Sequence, residues 1–70
     1  MHLHVAVFEE NGRWIAQALE HDVQVEGTNS ANAVYSLRMK LDALYDCGKL
    51  YDLPPAPEEC WEKVAMILSF

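Results

Sequence analysis

The chain has 70 residues, 51% of them apolar, with eleven acids against five bases for a net charge of −6. A chain of this length makes one domain and buries only about 60% of its unfolded surface, so its core calls for a supplement such as self-association. The acidity argues against direct nucleic-acid binding, which needs clustered Lys and Arg, and no stretch approaches the roughly 20 apolar residues of a membrane span.

In chain order, residues 2–9 alternate: Leu3, Val5 and Val7 fall on one face and His2, His4, Ala6 and Phe8 on the other, the pattern of a strand. Asn11-Gly12 is a hairpin signal, because both positions of a two-residue turn need positive φ. Residues 13–20 return as a second strand with Ile15 and Leu19 on one face and Trp14, Ala16 and Ala18 on the other. With apolar residues on both sides, this strand predicts an aromatic patch of Trp14 and Phe8 on the sheet face away from the helix. His21-Asp22 turns the chain, and Val23-Gln24-Val25 is a short third strand. Gly27 is expected to hold a backbone geometry that penalises a side chain.

Thr28 or Ser30 then caps a helix running to about Cys47, with Gly48 as its stop. Its apolar stripe is Ala33, Val34, Leu37, Leu41 and Leu44. Residues 51–57 form a stiff proline-rich connector. Pro57 followed by Glu58 and Glu59 predicts the start of a second helix over residues 58–70, with Trp61, Val64, Ala65 and Leu68 on one face, broadened by Ile67 and Phe70. The expected fold class is therefore α+β: a three-stranded antiparallel sheet with one helix packed on it, β-β-β-α over residues 1–50, plus a C-terminal helix, all in a single domain.

No catalytic constellation emerges. His2 and His4 share a strand face but lack a second ligand pair, so they read as surface histidines and no metal is expected. Cys47 and Cys60 match no zinc spacing and lie near no His-plus-acid pair, so they read as reduced, buried or half-buried, inert thiols of a cytoplasmic protein. Glu20 and Asp22 flank His21, a grouping capable of acid–base chemistry, but there is no phosphate loop and no nucleophile elbow. A small hydrolase using these three residues is the least favoured reading, and no enzyme and no cofactor are expected. His21 reads as a surface residue.

The first fifty residues resemble the HicB-like antitoxin family. The resemblance rests on Val5-Ala6-Val7, on Asn11-Gly12-Arg13-Trp14-Ile15-Ala16-Gln17, on Leu19-Glu20-His21-Asp22-Val23 and on Gly27-Thr28 before an Ala-containing helix. Leu53-Pro54-Pro55-Ala56-Pro57-Glu58 is similar to the proline-rich stretch that follows the helix in that family. The resemblance implies a partial ribonuclease H-like fold and a non-catalytic role, neutralising a small basic RNA-cleaving toxin of the HicA type by direct binding. Residues 54–70 are too short for a helix-turn-helix, so the chain looks like a stand-alone domain without the DNA-binding part. A mobile-element or phage inhibitor, such as an anti-CRISPR protein that blocks a nucleic-acid-binding complex, is the alternative.

Both readings call for a basic protein partner and a homodimer, with no nucleic acid and no membrane. Residues 1–27 hold five acids and one base, residues 28–50 three bases and two acids, and residues 51–70 four acids and one base. The expected partner contacts are Glu9, Glu10, Glu20, Asp22 and Glu26, with Trp14 and Phe8 as apolar anchors.

Overall fold

A computed structural model describes residues 1–69; Phe70, expected on the face of a terminal helix, lies outside the described residues. The described residues form four strands and one long helix: β1 His2–Glu10, β2 Arg13–Ala18, β3 Val23–Gly27, α1 Ser30–Asp46 and β4 Val64–Ser69. The strands make one antiparallel sheet in the order β3-β2-β1-β4. The architecture is α+β, as the residue pattern indicates, but the sheet has four strands where three are expected.

The difference lies in the last dozen residues. Residues 58–63 form a short 3-10 helix, Glu58–Lys63, and residues 64–69 pair antiparallel with β1. Pro57 and the two glutamates do start a helical turn. The apolar run that follows, Val64–Leu68, is only five residues long, and such a run fits a strand as well as a helix. Without it, Leu3 and Val5 would leave the backbone groups on that side of β1 unbonded; pairing with Leu68 and Met66 satisfies them. The expected C-terminal helix over residues 58–70 is therefore replaced by a short 3-10 helix and an edge strand.

The hairpin turn has Asn11 at φ 54° and Gly12 at φ 79°, the double positive geometry its sequence predicts. A two-residue loop fixes the register, so that Phe8 faces Ile15 and Glu9 faces Trp14. Residues opposite each other share a sheet face, which sends Trp14 to the helix side and Phe8 to the other. The expected Trp14–Phe8 patch does not form: Trp14 packs at the margin of the main core, and Phe8 belongs to a second cluster.

The main core joins Leu3 and Val5 of β1, Ala16 and Ala18 of β2, Val23 of β3 and Leu68 of β4 to Ala33, Leu37 and Leu41 of α1, with Leu50 closing one end. The helix lies chiefly on β2 and β3. Its cap is Asn29, not Thr28 or Ser30: the Asn29 side chain accepts from the Asn32 N–H at 2.8 Å, while the Asn32 side chain accepts from the Thr28 N–H at 3.1 Å. Gly48, at φ 74°, ends it. Gly27 is needed for a different reason from the one expected, because its φ is not in the left-handed region. A Cβ there would lie 2.7 Å from the Ala33 Cα and closer still to the Ala33 nitrogen, so glycine permits the first turn of α1 to rest on the end of β3.

Candidate functional site

A strap crosses the sheet face opposite α1. After a short 3-10 turn, Leu50–Asp52, the proline-rich connector runs extended past the β2–β3 corner. Two backbone bonds pin it there: the Asp22 N–H donates to the Pro54 carbonyl at 2.8 Å, and the Ala56 N–H donates to the Leu19 carbonyl at 2.8 Å. Ala56, Cys60 and Trp61 then pack over Ala6, Leu19 and Phe8. One half of the outer sheet face is thus covered by the chain itself, while the hairpin half stays open.

The Trp61 indole lies against the His4 ring, centroids 5.4 Å apart and tilted by 48°. Beneath it, one carboxylate binds His4 twice. Glu20 Oε2 accepts from the His4 ring Nδ1 at 2.7 Å, and Oε1 accepts from the His4 N–H at 2.8 Å. Burial pushes the Glu20 carboxyl up, but the hydrogen bonds from the His4 side chain and backbone outweigh it and hold the group below its ordinary value of 4.5. On the far side of the strap, the Lys63 ammonium stands 4.7 Å from the centroid of the Phe8 ring.

The three residues of the Glu20-His21-Asp22 corner go to three separate partners. Glu20 holds His4; His21 Nδ1 is 3.1 Å from the Leu53 carbonyl, with Tyr51 edge-on to its ring; Asp22 accepts from the Gln17 side chain at 2.9 Å. His21 is half-buried at the helix exit, not the surface residue expected. His2 and His4 do share a face, but His2 pairs with the Ser69 hydroxyl at 2.8 Å. Among the described residues no cluster of three or more His, Cys, Asp or Glu side chains could hold a metal ion. Cys60 is half-buried as expected, whereas Cys47, at the helix cap, is exposed.

Of the expected contact residues, Glu10 and Glu26 come together at the open hairpin end of the outer face. There they border Ile15, Asn11, Gln24 and Arg13, whose guanidinium donates to Glu26 at 2.9 Å. Asp22 is exposed at the strap corner, and Glu20 is tied to His4. Glu9 is exposed beside Trp14, on the helix side of the sheet. Phe8 is half-buried under the strap, so neither aromatic is presented as a free anchor.

Glu58, Glu59 and Glu62, none of them among the expected partner contacts, surround Trp61 on the strap and are all exposed. They bring the acids of the sheet and strap, residues 1–27 and 54–69, to eight against two bases; the helix and its exit, residues 28–53, carry three of each. The whole net charge therefore belongs to one layer of the molecule. Among the described residues no helix is long and apolar enough to cross a membrane. No family model, curated protein or solved structure matches the chain.

Proposed function

We propose that this chain is a non-catalytic inhibitor, a HicB-like domain that neutralises a small basic RNA-cleaving toxin of the HicA type by direct binding. The observation that carries the reading is the charge layout: eight acids and two bases on the sheet and strap, against a neutral helix layer. A basic RNA-binding surface is attracted to such a layer and is oriented by it, because the helix layer carries no net charge to compete. The antiparallel sheet with one helix across it is close to the β-β-β-α arrangement that the resemblance implies, in its partial ribonuclease H-like form. Under this reading the protein works in the cytoplasm beside its toxin.

The test is inhibition of a HicA-type toxin encoded next to this chain. Added to the purified toxin and a labelled RNA, the protein is expected to stop cleavage at a fixed stoichiometry, with affinity falling as salt rises. Full cleavage in the presence of excess protein at low salt would overturn the proposal.

A further inference from the structure

The two edges of the sheet are built differently. The β3 edge carries Glu26, paired with Arg13, and is preceded by Asp22; charges of this kind keep an edge from pairing with another chain. The β4 edge, Val64-Ala65-Met66-Ile67-Leu68-Ser69, has no charge and no proline. Ile67 is 53% exposed and Val64 38% exposed. The Leu19 N–H donates to the His4 carbonyl, so even-numbered residues of β1 turn their backbone groups toward β2 and odd-numbered ones toward β4. Leu3 and Val5 therefore bond Leu68 and Met66, and the N–H and carbonyl of Ile67 point outward along the edge. Ala65 is an extra residue where the register shifts, which confines the regular strand to Met66–Ser69. The Ser69 carbonyl already accepts from the Arg38 guanidinium at 3.3 Å, so Ile67 is the centre of what the edge can offer.

Beside this edge, on the helix side, the offset of α1 toward β2 and β3 leaves a shallow groove of about 510 Å³. Its floor is Val7, Val34, Met66 and Leu68, with Tyr35, 63% exposed, on its rim. Edge and groove are continuous through Met66 and Leu68.

We propose that this surface pairs with a second copy of the chain, β4 against β4 in antiparallel register about a two-fold axis at Ile67. The joined sheet then has eight strands, and Ile67 exchanges both backbone hydrogen bonds with its symmetry mate. Cross-strand pairing sets Met66 of each copy opposite Leu68 of the other on the helix side, so the two grooves merge into one apolar seam. Charge selects this occupant. A basic partner is drawn to the acidic sheet-and-strap layer and not to an uncharged strand that Lys63 precedes and Arg38 bonds at its end. Those two lie on opposite sheet faces and do not oppose each other across the axis. A like-charged copy, by contrast, is repelled by the acidic layer and meets no acid along β4.

Size points the same way. A six-residue edge is about 20 Å long and cannot alone supply the roughly 800 Å² per partner of a standard interface, so the groove is needed as well. The closed two-fold arrangement leaves no further β4 edge to propagate. It also leaves the acidic layer and the hairpin end free, so self-pairing and partner binding are independent.

The experiment is sedimentation equilibrium on the full chain without any partner. The expected mass is twice the 8.0 kDa of the chain. Ile67→Lys sets two like charges side by side at the axis and is expected to weaken the dimer about 30-fold or more. Gln24→Lys, on the other edge, is expected to leave it unchanged. A wild-type protein that stays monomeric at high micromolar concentration overturns the proposal, as does an unaffected Ile67→Lys dimer or a dimer broken by Gln24→Lys. Should Ile67→Lys lose its circular dichroism spectrum, hydrogen exchange on the wild type decides. Protection of the Ile67 amide that grows with protein concentration supports the paired edge, and free exchange at every concentration refutes it.

Discussion

Gly27→Ala tests the joint between sheet and helix most directly. The added methyl would lie 2.7 Å from the Ala33 Cα and 2.8 Å from the Asn32 Oδ1, with the Ala33 nitrogen nearer still. Ordinary contact begins at 3.4 Å, so the shortfall against backbone is about 0.7 Å or more. Two of the three obstructing atoms are backbone, and a helix held by Leu37 and Leu41 in the core cannot swing away alone. Overpacking of this kind costs about 1–3 kcal/mol. Displacing Asn32 also breaks its bond to the Thr28 N–H, worth about 1 kcal/mol. The sum, about 2–4 kcal/mol, is a large part of the roughly 3.5–10 kcal/mol expected for a domain of this size. Thermal unfolding followed by circular dichroism is therefore expected to show Tm lower by about 10–25 °C. Gly12→Ala is the control: a Cβ there meets nothing within 4 Å, and only its φ of 79° is strained. Asn at position 12 should recover most of that loss, since Asn tolerates positive φ, and Asn at position 27 should be worse than Ala. A Gly27→Ala protein within about 0.5 kcal/mol of the wild type, the scatter of neutral surface changes, would refute the close approach.

Trp61→Ala removes the lid over Ala6, Leu19 and His4, and because Trp61 is only half-buried the loss should be about 2 kcal/mol, below the roughly 3–5 kcal/mol of a fully buried aromatic; urea unfolding reads it, and an unchanged midpoint would mean that the strap does not hold the sheet. Glu20 titrates below 4.5 in the folded chain, so its bonds to His4 contribute stability that is complete above that pH and lost as pH falls through the folded value. Tm measured between pH 6 and pH 3, a range set about the ordinary carboxyl value, should therefore fall more steeply for the wild type than for Glu20→Gln; parallel curves would detach the carboxylate from folding. Reversal of Glu10, Asp22, Glu58 and Glu59 to Lys should slow association with a basic partner several-fold at low salt and little at high salt, read by stopped-flow mixing, because exposed charges act mainly on the encounter rate. A rate independent of both salt and charge would remove the electrostatic basis of the proposed function.

The hairpin, the helix stripe and the sheet-on-helix layering are legible in the residues because each depends on local geometry. Asn11-Gly12 dictates a two-residue turn, and Ala33, Leu37 and Leu41 recur on one helical face. The side of the sheet taken by Trp14 is legible too: the same turn sets residue 14 opposite residue 9, and the parity that puts Phe8 with Ile15 excludes a Trp14–Phe8 patch. The fate of residues 58–69 is not local. Val64–Ser69 becomes a strand because β1 has an edge to satisfy, and that edge exists only once the hairpin and helix have formed. The bond between His4 and Glu20 is hidden for the same reason, since it joins residues sixteen positions apart at the end of β1 away from the hairpin turn.

The strap explains why the acids stand where they do. A lone sheet layer has two faces, and α1 covers one. Uncovered, Ala6, Phe8 and Leu19 would expose a second apolar face that a chain of this size has no other element to bury. The proline-rich stretch solves this with little chain: its stiffness holds it extended across the corner, and two backbone bonds fix it without a further strand. Having crossed, the chain must present its own outer surface to water, and Glu58, Glu59 and Glu62 do so around Trp61. Along with Glu10, Asp22 and Glu26 they make the strap side of the molecule acidic throughout, with Lys63 turned down over Phe8 and Arg13 engaged by Glu26. Covering a sheet face and building an anionic surface are thus one structural event. A partner drawn to that surface reads the strap as much as the strands, and loosening the strap at Trp61 should weaken partner binding even where every acid is retained.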